Sequence, residues 1–405
     1  MCFPPCIGGT ILHMTNRRSG AQDIAKGMMI ISVVFFHANL MTFDNVAEAL
    51  STFNILMALF PFLLSAFFFY AGYNYTPSER TYKQNVLRRA KQLLIPLVVA
   101  FGISTLLFFG MELAFHHADP MPTLQALGNS VLYGLMSEPL AIMIQFPQSG
   151  GIVFEFALAL CLLWFLYALF ICSLAFYALV KWTNQKFSTF ISVIAALLIL
   201  AFCIGQFVGV YLPYTVQCYP VIVAIMLTGA YLRQHRFLDR EIHSKKDIVL
   251  TGINMLVAEG IVVSVCLFCY YQFGSTNVGS LPGGQFDSHI KGFDAFVSFG
   301  FGILGTYFIH MVSRLIELIP FVGKGLQWVG KHSAIFYLFH PIFLDLTAIV
   351  VFQKRVVWGR GQAFFYVAVT VALLVAICLL MDWIKKKKNH SNGDPIEKNE
   401  APSEN

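Results

Sequence analysis

The chain has 405 residues, 57% of them apolar and only 12% charged, and Phe alone contributes 40. That balance excludes an ordinary soluble domain and indicates a polytopic membrane protein. The formal net charge of +6 comes with no nucleic-acid motif, so it reads as a loop-charge bias that orients the chain in a membrane and excludes a nucleic-acid-binding role.

The nine Cys are scattered, most of them singly in apolar stretches where Cys behaves as a small hydrophobe. No disulfide framework and no metal site are expected, because Cys2 and Cys6 have no Cys/His partners at zinc-ligand spacing. The first apolar stretch follows Arg17 and Arg18 without a small-residue cleavage site, so it reads as a retained span. Met14 is an alternative start.

Crossing a hydrocarbon core of ~30 Å takes about 20 apolar residues in a helix. Ten windows qualify: 24–43, 52–74, 93–112, 154–180, 188–211, 215–232, 248–272, 292–313, 332–352 and 362–384. The expected fold is therefore all-α, a polytopic membrane helix bundle of about ten transmembrane helices. Residues 1–20 form a short cytoplasmic segment, 21–384 the membrane domain, and 385–405 a disordered tail, basic and then polar. No second soluble domain and no internal repeat are expected.

Loop charges set the orientation. The loop 76–91 carries Arg80, Lys83, Arg88, Arg89 and Lys91 against Glu79 alone, whereas 113–153 carries Asp119 and Glu138 with no Lys or Arg. The first is expected in the cytoplasm and the second outside. Lys181 and Lys186, the basic excess of 233–247 and Lys385 to Lys388 all fall on the cytoplasmic side, which puts both termini inside. The loop 353–361, with Lys354, Arg355 and Arg360, falls outside against the rule. It reads as a miscounted span, as a tolerated late loop or as a patch for an anionic, lipid-linked or polymeric acceptor. Within 113–153, a stretch broken by Gly128, Gly134 and Pro139 is expected to lie in the interface or over an outer cavity.

The stretch Asp23 to Leu40, DIAKGMMIISVVFFHANL, holds an ionisable residue deep in the first span. Such groups are costly in hydrocarbon and are usually functional or tightly paired. Lys26 and His37 lie eleven residues apart, three helical turns plus about 20°, so they share a face and are separated by roughly 16 Å. A cation at the cytoplasmic mouth and a base deep inside would suit an acyl-coenzyme A, with its phosphates at one end of a long arm and its thioester at the other. A His bonded to a neighbouring helix is the simpler alternative. Arg88, Arg89 and Lys91 read either as phosphate ligands or as positive-inside anchors. Asp23 reads as a partner of Lys26, in preference to a contact with the donor.

Five segments then fall in order. DIAKGMMIISVVFFH resembles the first-span signature of the acyltransferase-3 family of integral-membrane O-acyltransferases, a basic residue, ten positions, then His. FFFYAGYNY from Phe67, RRAKQLLIP from Arg88, LWFLYALF from Leu163 and GKHSAIFYLFHPIF from Gly330 resemble further family segments. Lys26 and Lys91 stand where the family more often has Arg. The resemblance implies an acyl group, most often acetyl, taken from cytoplasmic acetyl-CoA or another acyl-coenzyme A. It implies delivery to a hydroxyl of a cell-surface or lipid-linked glycan, by a multi-pass protein of the plasma or inner membrane. It also implies that His37 is catalytic and that Lys26, Arg88, Arg89 and Lys91 handle the donor.

His37 would act as general base or as the nucleophile of an acyl-imidazole intermediate. Trp164, Tyr167, Tyr337 and His340 are candidates for holding the acceptor or orienting the donor, against a packing or structural role. His310 and Glu155 receive no role. The rival reading from another class is a secondary transporter or flippase for a lipid-linked or anionic solute, with His37 as a proton relay.

Overall fold

Backbone amides in hydrocarbon have only one another as partners, so long apolar runs must fold as helices or close into a barrel. A computed structural model describes residues 20–42, 62–76, 80–115, 164–183, 186–207, 213–238, 242–273, 293–347 and 360–391, and it contains no strand among them. The helices are α1 (Gly20–Thr42), α2 (Leu63–Tyr73), α3 (Tyr82–Phe115), α4 (Trp164–Thr183), α5 (Phe187–Phe207) and α6 (Tyr219–Gln234). They continue as α7 (Lys245–Phe273), α8 (Asp294–Glu317), α9 (Pro320–Lys331), α10 (Ser333–Leu346) and α11 (Arg360–Ser391). A short 3-10 turn, Pro213–Cys218, leads into α6.

The ten apolar windows each overlap a described helix, but the second is described only from residue 62 onward, the fourth only from 164 and the ninth only to 347. Among the described residues six segments, in α4, α5, the 3-10 turn with α6, α7, α8 and α11, are long and apolar enough to cross a membrane. The loops 116–163 and 348–359, and with them most of the outer segment and of the basic loop, lie outside the described residues, as do residues 1–19 and 392–405.

The centre of the bundle is α6, whose residues Pro220 to Ala230 are buried without a break. A helix apolar on every side must be enclosed by others. Against it lies α2, and the two backbones meet at glycines. A methyl on Gly72 would overlap the Met226 carbonyl, and one on Gly229 would overlap the Phe69 carbonyl. The same device joins α1 to α9, where Gly27 faces the Leu326 carbonyl and Gly330 faces the Asp23 carbonyl. Small residues at such crossings let the helices pack by direct contact, which drives association when lipid competes equally for apolar surface.

Outside the ten windows, between the eighth and the ninth, α9 packs along α1. Twelve residues with one apolar face escape any count based on long windows. At the other end, α11 runs on through Lys385 to Lys388 as far as Ser391, beyond the expected start of the tail. The α9–α10 junction is tied to α11 by His332: its Nδ1–H donates to the Trp328 carbonyl at 2.9 Å, and its Nε2 lies 3.1 Å from the Asp382 carboxylate.

Candidate active site

In an α-helix the carbonyl of residue 337 receives the amide of residue 341, but residue 341 is proline and has no N–H to give. The freed Tyr337 carbonyl is taken by a side chain one turn on. His340 Nδ1–H donates to it at 2.8 Å, with the Phe336 carbonyl at 3.2 Å. A ring nitrogen that faces two carbonyls carries the proton, so Nε2 of the neutral ring is an acceptor. That Nε2 lies 2.7 Å from Nδ1 of His37 on α1. His37 Nδ1–H is therefore the donor, and the lone pair of His37 sits on Nε2. The two rings lie nearly parallel, 12° apart, with centroids separated by 4.9 Å.

Neighbouring helices hold α10 in this register. The Tyr366 hydroxyl of α11 donates to the Leu344 carbonyl, and Thr370 bonds Thr347 at 3.5 Å. Ala38, one residue beyond His37, packs with Leu344 and Tyr366. On the other side the Phe165 backbone N–H on α4 bonds the Tyr337 hydroxyl. The Phe165 ring packs on Tyr337 at 5.3 Å and on Phe68 of α2 at 4.6 Å.

The structure thus brings four of the sequence-derived residues together: His37, His340, Tyr337 and, buried beside Tyr337, Tyr167. Trp164 begins α4, but its side chain is outside what the structure describes.

Lys26 stands apart from that group on the same helix. It is not exposed at the end of α1 but lies 8% exposed within the bundle, its ammonium 5.8 Å from the centroid of the Tyr70 ring. Arg89, half-buried at the start of α3, turns toward α4 and donates from Nε to the Ser173 hydroxyl at 3.4 Å. Arg88 and Lys91, on either side of it, are exposed. The three cations are thus split: one is engaged against α4 and two are open to surroundings. Among the described residues, no three His, Cys, Asp or Glu side chains group to hold a metal ion.

Two parts of this arrangement lie outside the sequence-based expectation. Pro341 stands within the late family-like segment, and proline in a helix always leaves the carbonyl four residues back without its amide, which is the signal for the Tyr337–His340 bond. His310, expected to have no role, is fully buried and bonded to Tyr70. No spacing rule connects those two positions.

Among known proteins, a family model described as an acyltransferase domain matches residues 21–383. No curated protein and no solved structure matches the chain.

Proposed function

The chain belongs to the acyltransferase-3 family, and on that premise we propose that this multi-pass membrane protein is an O-acyltransferase. It moves an acyl group, acetyl in the first instance, from cytoplasmic acyl-coenzyme A to a hydroxyl of a cell-surface or lipid-linked glycan. The termini and the Lys26 end of α1 face the cytoplasm, in a plasma or inner membrane, with about ten helices spanning it.

The observation that carries this reading is the His37–His340 pair. With Nδ1–H committed to His340, His37 presents the lone pair of Nε2 to a hydroxyl, and a base held by a third group is the recurring arrangement of acyl-transfer enzymes. His37 takes the hydroxyl proton as the oxygen attacks the thioester carbonyl. As the C–S bond breaks, the coenzyme A sulfur leaves and recovers the proton from Nε2, so that ester and free coenzyme A are the products. In the interval His37 is an imidazolium, and its hydrogen bond to His340 becomes charge-assisted and stronger. A bond that strengthens only as charge develops lowers the barrier rather than merely binding substrate.

Lys26, Arg88, Arg89 and Lys91 handle the donor, whose phosphates need cations. Tyr337 and Tyr167, buried near the His37–His340 pair, are the side chains offered for the acceptor, with Trp164 as the sequence-derived addition to them.

The test compares, by mass spectrometry, the cell-surface glycan of a deletion strain carrying either the wild-type protein or His37→Ala at equal membrane levels. Loss of an ester-linked acetyl in the deletion strain and with His37→Ala supports the reading. An unchanged acetyl level with His37→Ala removes the base and favours a transporter.

A further inference from the structure

His310 on α8 is fully buried, takes no part in the transfer just described and is engaged at both ring nitrogens. Its Nε2 lies 3.0 Å from the Leu238 carbonyl in the turn after α6, so Nε2 carries the proton. Nδ1 of the neutral ring is then an acceptor, and the Tyr70 hydroxyl donates to it at 3.1 Å. This fixes Tyr70 at its far end while its ring face lies under the Lys26 ammonium, 5.8 Å away.

The chain of contacts from Leu238 through His310 and Tyr70 ends on a cation. A phenol that donates its proton to a base holds more electron density on its ring, which strengthens the attraction for a cation over the face. Packing alone would be served by Phe and Leu at these buried positions, without two polar groups to satisfy.

We propose that Tyr70 and His310 are positioning residues for Lys26 in the donor site: His310 sets the phenol, and the phenol ring sets the ammonium that meets acyl-coenzyme A. The inference rests on the reading of Lys26 as a donor-binding residue. It differs from a role of His310 in anchoring the turn after α6, which would leave Lys26 untouched.

The test measures coenzyme A binding by calorimetry on the full-length protein purified in detergent, coenzyme A being common to every acyl donor. Lys26→Ala is expected to weaken binding about tenfold or more, and Tyr70→Phe, which keeps ring and shape, about three- to fivefold. The double variant is expected to bind no more weakly than Lys26→Ala alone, because the hydroxyl acts through the ammonium. His310→Gln, whose amide gives one donor for Leu238 and one acceptor for Tyr70, should bind like wild type, whereas His310→Leu should resemble Tyr70→Phe. If Tyr70→Phe does not accumulate, the His310 pair decides. Equal losses on adding Tyr70→Phe to wild type and to Lys26→Ala, or indistinguishable binding by His310→Gln and His310→Leu, would overturn the proposal. Wild-type binding by Lys26→Ala would instead overturn the donor role of Lys26 itself, a separate result read from that variant alone.

Discussion

His37 on α1 donates its Nδ1 proton to Nε2 of His340 on α10, joining residues 303 positions apart by a bond of 2.7 Å. If His340 serves to hold that tautomer, the acceptor matters and the ring does not. His340→Gln, whose amide oxygen still accepts from His37, is expected to lower kcat by about tenfold, and His340→Leu by about 10²-fold. The KM for acyl-coenzyme A should stay unchanged in both. Equal kcat losses in Gln and Leu variants would contradict the orienting role.

Pro341 sets up a second prediction, because proline in a helix is costly and here leaves a carbonyl for His340. Pro341→Ala supplies the missing amide to Tyr337, so it is expected to raise thermal stability while lowering kcat about three- to tenfold. Thermal unfolding and steady-state rates on the same preparation check both signs. A loss of stability together with activity would contradict the account of the freed carbonyl as what Pro341 provides.

The helical class was legible in the sequence. Six of the ten expected windows coincide with described helices long and apolar enough to cross a membrane, because long runs without charge leave the backbone few choices in hydrocarbon. The family signature at Lys26 and His37 was also legible, since residues eleven apart on one helix keep their relationship wherever that helix packs. What could not be read was contact between helices: which partner His37 meets, that Lys26 turns inward to Tyr70, and that Arg89 alone of its cluster engages α4. Those depend on where glycines let backbones meet, and the reciprocal use of Gly27 and Gly330 became evident only with α9 in place along α1.

The α2–α6 crossing has no room for a side chain at Gly72, where any Cβ would overlap the Met226 carbonyl. Gly72→Val is expected to destabilise the bundle by about 3 kcal/mol or more, since backbone cannot move aside as a side chain would. Membrane accumulation and detergent-resistant thermal stability should both fall. Gly252→Val on α7, where a Cβ would meet nothing within 4 Å, should change neither.

Donor handling by the basic cluster makes a graded prediction. Arg89→Ala is expected to raise the KM for acyl-coenzyme A about tenfold, because this guanidinium is half-buried and held by Ser173. The exposed Arg88→Ala and Lys91→Ala should each change it about twofold, and those smaller effects should fade as salt is raised. Equal and fully salt-screened effects at all three positions would make the cluster a membrane anchor.

The most direct measurement is the release of free coenzyme A from acetyl-coenzyme A by membranes containing the wild-type protein or His37→Ala, with and without the isolated glycan fraction as acceptor. Acceptor-dependent release by the wild-type protein, reduced about 10²- to 10⁴-fold in His37→Ala, is the predicted result. Release at the wild-type rate from His37→Ala, or intact acetyl-coenzyme A with wild-type protein and acceptor together, would contradict it.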